Sequence, residues 1–140
     1  MPASDFYHDQ VVRALEADGW TITADPLRIE YEGQKYFVDL AAERNLLAAE
    51  KGTQKIAVEI KSFLSRSHAY DLREAVGQFN IYRDILDENE PERVLFLAVD
   101  EQIYEHLFNE KYGRFIIRKQ RLNLIVFNPV QERIIEWLKQ

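Results

Sequence analysis

The sequence predicts an α/β (α+β) fold in which a central mixed β-sheet is flanked by helices. Its elements follow one another as a helix, three to four strands, a helix, a strand, a helix and a strand. Residues 56–60 and 94–99 are nearly continuous apolar runs, which is typical of central strands covered on both faces. A series of strands followed by crossover helices gives a mixed sheet with helices on its faces.

Length and composition are those of one globular domain spanning residues 1–140. Hydrophobic residues make up 46% of the chain and aromatic residues 12%, which is enough to build a core. No apolar run approaches the roughly 20 residues of a membrane helix, and the first residues lack the pattern of a signal peptide. The absence of cysteine excludes disulfides and thiolate metal sites and fits a cytoplasmic location.

The first half of the chain predicts one helix and a run of strands. Ser4 is a typical N-cap residue, Asp5 suits a first helical turn, and Gly19 suits a C-cap. Pro26 interrupts the following extended segment. Residues 46–52 are predicted to form an extra hairpin arm. The predicted strands are four short apolar or alternating runs, at residues 20–23, 27–31, 35–41 and 54–63.

The second half predicts a long helix and then alternating strands and helices. Residues 69–87 place apolar side chains at close to a 3.6-residue period, and Pro91 follows the end of this helix. The later elements are strands at residues 93–99 and 122–127 and helices at residues 101–108 and 114–119. The last apolar run, residues 133–138, is compatible with either a strand or a helix.

A carboxylate and an ammonium group lie within a run that predicts a buried strand. Side chains alternate along a strand, so Glu59 and Lys61 share one face with Ala57. Because an unpaired buried ion costs several kcal/mol, a compensating partner is expected, and Asp39 lies near the end of the neighbouring apolar run. Two carboxylates beside a lysine can hold a divalent metal and activate a water for phosphodiester cleavage. The alternative is a structural cluster in which Glu59 and Lys61 form an ion pair.

Motif and element order together resemble the PD-(D/E)XK nuclease superfamily, which has a restriction-endonuclease-like α-β-β-β-α-β core. Asp39 matches the Asp of the second core strand, and Glu59 and Lys61 match the Glu/Asp-x-Lys of the third. The resemblance implies that Asp39, Glu59 and the carbonyl of Ile60 bind Mg²⁺ or Mn²⁺. It implies that Lys61 orients or deprotonates the attacking water, or stabilises charge in the transition state.

Two further residues match an element found in some branches of that superfamily. Gln78 and Tyr82 are four residues apart in the predicted long helix, so they share one helix face. They match a Gln-x-x-x-Tyr element whose side chains help to orient the site or contact DNA. The alternative is that Tyr82 is a core aromatic residue and Gln78 a boundary residue. Weaker candidates for an extra ligand are one acid shortly after Asp39 and three residues of the first helix. They are Glu43, and then Asp9, Glu16 and His8.

Three segments carry a closer resemblance: residues 19–27 (GWTITADPL), 46–63 (LLAAEKGTQKIAVEIKSF) and 122–129 (LNLIVFNP). Over essentially its full length the chain resembles the XisH family of cyanobacterial excision-controlling factors. The resemblance implies a role in controlling excision of the fdxN DNA element during heterocyst development. The implied partners are a site-specific recombinase and a small companion protein, XisI.

The charge balance separates two classes of function. The net charge of −6 is unlike the basic excess of proteins that hold nucleic acid mainly by electrostatics. It favours a regulatory protein that acts through protein partners on a nuclease-like scaffold. The intact Asp39, Glu59 and Lys61 favour the second hypothesis, a metal-dependent DNA endonuclease or nickase.

One segment departs from the acidic average of the chain. Residues 111–121 contain five cations and no acid, which predicts either a solvated helix face or a surface that contacts DNA. The cations are Lys111, Arg114, Arg118, Lys119 and Arg121. The aromatic residues Tyr104, Tyr112 and Phe115 suit the interface of a homodimer, although Phe115 suits core packing equally well.

Overall fold

A computed structural model describes residues 5–45 and 52–140 of the chain. The strands are β1 (Thr21–Ala24), β2 (Leu27–Tyr31), β3 (Gln34–Val38), β4 (Leu40–Asn45), β5 (Thr53–Ile60), β6 (Arg93–Asp100), β7 (Leu124–Asn128) and β8 (Arg133–Leu138). The helices are α1 (His8–Ala17), α2 (His68–Asn89), α3 (Glu101–Ile103) and α4 (Lys111–Gln120), and a π-helical turn spans Tyr104–Phe108.

Six of these strands form one mixed sheet in the order β1-β4-β5-β6-β7-β8. Strands β5, β6 and β7 are parallel neighbours, whereas the outer pairs are antiparallel. Parallel neighbours need crossover connections. Helix α2 makes the first crossover, and the segment from α3 to α4 makes the second. The predicted central mixed sheet with flanking helices is confirmed, and β2 and β3 form a separate antiparallel pair beside it.

The central strands bury side chains on both faces of the sheet, as their apolar runs predict. On one face, Ala57 and Leu97 belong to a core shared with α2 and α4. On the other face, Val58 and Phe96 belong to a core shared with α1, including Leu15. Side chains alternate along β5, so Glu59 lies on the same face as Ala57, the face covered by α2.

Helix α2 confirms the predicted long helix. Its N-cap is Ser67, whose hydroxyl accepts a hydrogen bond from the N–H of Tyr70 at 3.0 Å. One face of the helix is buried and carries Leu72, Ala75, Phe79, Tyr82, Ile85 and Leu86. Within the described ranges, no helix combines the length and the apolarity that crossing a membrane requires.

Two predicted strands end earlier than the sequence pattern indicates. The prediction of one strand over residues 35–41 is wrong, because the chain bends at Asp39, leaving β3 and entering β4. Strand β5 ends at Ile60, although the N–H of Lys61 still donates to the carbonyl of Ala98 at 3.1 Å. At Asp39 the apolar residues continue on both sides of the bend, so apolarity does not mark the change of sheet. At the end of β5, Phe63 extended the predicted strand, but Phe63 has a positive φ of 56° and the strand has already ended.

Other boundaries differ from the prediction by smaller amounts. Helix α1 starts at His8, so Asp5 precedes the helix and is not part of its first turn. The predicted N-cap Ser4 lies outside the described residues, and so do residues 46–51 of the predicted hairpin arm at 46–52. The predicted helix over residues 101–108 is divided into α3 and the π-helical turn. The ambiguous last run forms β8, an edge strand that pairs with β7.

Candidate active site

Two carboxyl groups lie side by side where the small sheet (β2 and β3) connects to the large, six-stranded sheet. Asp39 occupies the bend between β3 and β4, and Glu59 lies next to the last residue of β5. Strands β4 and β5 are antiparallel, with Leu40 opposite Val58. Continuing this register by one residue sets Asp39 opposite Glu59, as the facing arrangement predicted from the sequence requires.

Main-chain N–H groups donate hydrogen bonds to both carboxyl groups. The N–H of Asp39 donates to Oε1 of Glu59 at 3.2 Å. The N–H of Ile60 donates to Oδ2 of Asp39 at 2.8 Å. Each acid is therefore held by the main chain of the other strand, which fixes the two carboxyl groups beside each other.

Burial and mutual repulsion change the acidity of the pair. Burial, and then the charge of Asp39, raise the pKa of Glu59 to about 9. Burial also raises the pKa of Asp39, against the opposing effects of the Ile60 N–H and of the nearby His8. At neutral pH the two carboxyl groups therefore share a proton, and a bound cation can replace that proton.

Lys61 lies just beyond β5 and does not by itself neutralise the carboxyl pair. Its ammonium group forms an ion pair with the carboxylate of Glu74 on α2. The Lys61 charge lowers the pKa of Glu59 less than burial and Asp39 raise it. Glu74 was not singled out from the sequence. The available signal was its position four residues before Gln78, on the same helix face.

Tyr82 lies on the buried face of α2, with its ring centroid 5.7 Å from that of Tyr36 in β3. Burial, followed by the charges of Glu59 and Asp39, raises the pKa of Tyr82 above its usual range. Its hydroxyl group is therefore protonated and within electrostatic reach of both acids. Gln78 lies one turn earlier, is half-buried, and has no side-chain hydrogen bond to another described residue.

Two residues near the start of α1 border this site. Oδ2 of Asp5 accepts the N–H of Ser62 at 3.1 Å, and the Asp5 charge contributes to the raised pKa of Asp39. His8 is buried, with Nε2 2.9 Å from the carboxylate of Asp25. Its Nδ1 has no partner among the described residues. Sequence reasoning missed Asp5 because an acid before a helix normally indicates only a helix start.

The remaining weaker candidates lie elsewhere. Glu43 is inside β4 and accepts a hydrogen bond from Arg93 at 3.3 Å, toward the other end of β5 from Glu59. The prediction of Glu43 as an extra ligand is wrong, because four residues along an extended strand move a side chain by about 13 Å. Asp9 and Glu16 are exposed on α1.

The oxygen atoms at this site suit a hard divalent cation. In residues 5–45 and 52–140, no three or more His, Asp or Glu side chains are grouped to hold a metal. Asp39 and Glu59 bring two carboxyl groups together here, and these are the residues that could hold such a cation, with water completing the shell. A buried acid pair that retains a proton at neutral pH fits a site whose countercharge comes from an ion.

A separate cavity of about 420 Å³ lies at the opposite end of β5. Trp20, Phe96 and Trp137 form its aromatic wall, with the two indole rings 5.6 Å apart. It shares no residue with the carboxyl pair, so it is not part of this site.

Comparison with known proteins identifies the family. Residues 1–135 match the family described as XisH protein. The chain belongs to the XisH family. An XisH family protein from Nostoc punctiforme PCC 73102 is 39% identical over 96% of this chain and 100% of its own, with a TM-score of 0.87. An fdxN element excision controlling factor protein from Anabaena variabilis is 40% identical over 97% of this chain and 100% of its own, also with a TM-score of 0.87. No curated protein sequence matches the chain.

Membership of the XisH family confirms the closer of the two resemblances noted in the sequence. The two solved structures share the fold of this chain over nearly its whole length.

Proposed function

We propose that this XisH family protein controls the excision of a DNA element, on a scaffold of the PD-(D/E)XK nuclease type. The observation that carries this proposal is 40% identity, over 97% of the chain, to a solved protein named as an fdxN element excision controlling factor. The nuclease-type scaffold is supported by Asp39, Glu59 and Lys61, which lie together at one end of β5. In this proposal the protein acts in the cytoplasm of cyanobacterial cells developing into heterocysts, together with a site-specific recombinase and XisI.

Excision control is tested by rebuilding the reaction in a bacterial host. The host carries a plasmid whose marker gene is interrupted by the element, together with the recombinase and XisI. We expect the marker to be restored when the chain is expressed, and rarely in its absence. Equal excision frequencies with and without the chain would contradict the proposal.

The buried carboxyl pair favours a second function, metal-dependent cleavage or nicking of DNA. We propose that Asp39, Glu59 and the carbonyl of Ile60 hold Mg²⁺ or Mn²⁺. When bound, such an ion supplies charge stabilisation at a phosphate and lowers the pKa of a water. The backbone bonds that hold the two acids keep this set of oxygens in place before a substrate arrives.

The neighbouring side chains supply hydrogen-bond donors for the same reaction. Glu74 holds the Lys61 ammonium group at the end of β5, where it donates to a water or to the developing charge on a phosphate. Tyr82 keeps its proton, since its pKa is raised, and acts as a neutral donor beside the acids. Gln78, half-buried on the same face of α2, is available to orient a water or to contact DNA.

A nicking assay tests this second function. Supercoiled plasmid is incubated with the purified protein and Mg²⁺, then Mn²⁺, alongside Lys61→Ala. The matched control is Lys55→Ala, because Lys55 lies near the start of β5 with its Nζ 3.9 Å from Glu92, away from Asp39 and Glu59. We expect metal-dependent nicking that falls by about 100-fold or more in Lys61→Ala and persists in Lys55→Ala.

Folding of each variant is checked by thermal unfolding, because removing one member of a buried ion cluster costs about 3–5 kcal/mol. Absence of nicking, with or without the protein partners, would rule out the nuclease. Excision that survives Lys61→Ala in the host assay would show that excision control needs no cleavage by this chain.

A further inference from the structure

Helix α4 concentrates positive charge on an acidic protein. Five cations and no acid lie in residues 111–121, whereas the whole chain has a net charge of −6. All five side chains, Lys111, Arg114, Arg118, Lys119 and Arg121, are exposed. Such a local excess is the pattern expected of a surface that meets a polyanion.

Two aromatic rings stand among these cations. Tyr112 is 62% exposed and Phe115 is 43% exposed, so the core position predicted as one alternative for Phe115 is wrong. Their ring centroids are 6.3 Å apart in a stacked arrangement, and the guanidinium of Arg118 lies 5.8 Å from the Phe115 ring. A face that only needs hydration gains nothing from two adjacent exposed rings, and adjacent apolar groups instead indicate a contact surface.

A cleft of about 310 Å³ separates α4 from α2 beside Tyr112. Leu72 and Ile116 contribute apolar walls, and Arg73 contributes a guanidinium group. Gly77 also lines the cleft, and a Cβ placed there would meet no atom within 4 Å. The cleft therefore has an aromatic wall, an apolar lining and a cation, with free space at Gly77.

The positive surface continues from α4 onto α2. Tyr70 is 54% exposed and lies three residues before Arg73, on the same side of α2. Further along, the guanidinium of Arg83 donates to the carbonyl of Gln120 at 2.9 Å. The same guanidinium lies 3.4 Å from the carbonyl oxygen of Arg121, so a cation of α2 sits beside the C-terminal end of α4.

The start of α4 lies at the same end of the large sheet as the carboxyl pair. Phe63 follows Lys61 by two residues, and its ring centroid is 5.8 Å from that of Phe108. Phe108 precedes Lys111 by three residues. The start of α4 and the carboxyl pair therefore lie toward the same end of the molecule.

We propose that the surface formed by α2 and α4 binds single-stranded DNA, with an unpaired base stacked on Tyr112 at the cleft and the flanking phosphates on the cations of α4. Exposed aromatic rings within a basic track are the composition of single-strand sites, because every base has a face that can stack. A duplex keeps its bases stacked internally and offers such a surface mainly its phosphates. The choice of DNA rests on the proposed function, but the inference needs no cleavage at Asp39 and Glu59.

Fluorescence anisotropy tests this inference with a labelled oligothymidine and a blunt duplex of equal length. EDTA is present throughout, so that metal-dependent cleavage plays no part. We expect the single strand to bind more tightly than the duplex. Replacing both rings, Tyr112→Ser with Phe115→Ser, should weaken single-strand binding by about tenfold or more and duplex binding far less. The matched control changes two exposed rings on the small sheet, Tyr31→Ser with Phe37→Ser.

A charge variant and a cleft variant separate the two parts of the surface. Lys111→Gln, Arg118→Gln and Lys119→Gln together should reduce the slope of log affinity against log salt by about 2. The control with the same change in net charge is Arg28→Gln, Arg133→Gln and Lys139→Gln. Gly77→Leu fills the cleft without changing any charge, and should remove the preference for the single strand.

Arg114 is left unchanged, because its Nη1 donates to the carbonyl of Asn109 at 2.8 Å and so supports the turn before α4. Equal binding of strand and duplex, unaffected by the ring variant, would overturn the inference. So would binding to phosphatidylserine vesicles or to polyglutamate without binding to the oligonucleotide. A failure to bind in EDTA leaves the nicking result standing, and a failure to nick leaves the binding result standing.

Discussion

Glu59 couples the candidate site to the stability of the whole fold through one proton. In the folded state burial and Asp39 raise its pKa to about 9, whereas its ordinary value is 4.5. Between these two values the folded protein binds more protons than the unfolded chain, so the free energy of unfolding falls as pH rises. For one proton the slope is at most about 1.4 kcal/mol per pH unit.

We therefore expect Glu59→Gln to become progressively more stable than the unaltered protein as pH increases from about 5 to about 9 in EDTA. Urea unfolding followed by the fluorescence of Trp20 and Trp137 measures the difference. Glu16→Gln, exposed on α1, is the control and should show no such trend. A stability difference for Glu59→Gln that is independent of pH would mean that Glu59 ionises normally in the folded protein.

Divalent ions should reverse this penalty. We expect Mn²⁺ to raise the melting temperature, and to do so more at pH 8 than at pH 6, because the shared proton must leave as the ion binds. Asp39→Asn should lose most of the increase, whereas Asp9→Asn, on the exposed side of α1, should keep it. Equal increases in both variants would place the ion elsewhere.

Sequence reasoning reached part of this site for a clear physical reason. Glu59 and Lys61 stand out because charge is costly in an apolar strand, and Asp39 stands out at the end of its apolar run. Glu74 and Asp5 carry no such mark. Their roles depend on how α2 and the start of α1 dock against β5, which no local pattern encodes.

At the level of elements, α4 packs against the preceding π-helical turn through a glycine. A Cβ on Gly113 would lie 2.0 Å from the carbonyl oxygen of Leu107 and 2.5 Å from Cα of Phe108. Both atoms belong to the backbone, so no side-chain rotation relieves the overlap. The close contact fixes the position of α4, and with it the basic surface.

We expect Gly113→Ala to destabilise the protein by about 1–3 kcal/mol, as overpacking does in a tight contact. Gly77→Ala is the matched control, because Gly77 is an exposed helical glycine with open space around it. That change should stabilise by about 0.5–1 kcal/mol through helix propensity. Urea unfolding of both variants decides the matter, and a stabilising Gly113→Ala would show that α4 can move away.

Element types followed from the sequence more reliably than element boundaries. The 3.6-residue period of α2 and the alternation of β2 report which side chains face a core. These patterns do not show which strands pair with one another in a sheet. For that reason the bend at Asp39 was invisible, and the last apolar run resolved into β8 only through its pairing with β7.

Across the whole molecule, we expect resistance to local unfolding to decrease from the central parallel strands to the small sheet. Strands β5, β6 and β7 are covered on both faces, whereas β2 and β3 form a two-stranded sheet attached through Ile29 and Val38. Two strands alone are marginally stable. In native-state hydrogen exchange, β6 amides should exchange only through global unfolding. The β2 and β3 amides should exchange through local opening that has a smaller free energy. Equal protection of both would indicate a single cooperative unit.

The N–H groups of Asp39 and Ile60 donate to the carboxyl groups of Glu59 and Asp39. These two hydrogen bonds determine which substitutions remove charge without disturbing the fold. An amide oxygen accepts an N–H as a carboxylate oxygen does, so Asp39→Asn and Glu59→Gln leave the junction of the two sheets tied. Alanine at either position removes the acceptor and loosens that junction. Amide variants therefore separate loss of charge from loss of shape. Amide side chains would hold this junction equally well. Two acids occupy it although burial disfavours their charged forms, which favours a chemical role for them in addition to a structural one.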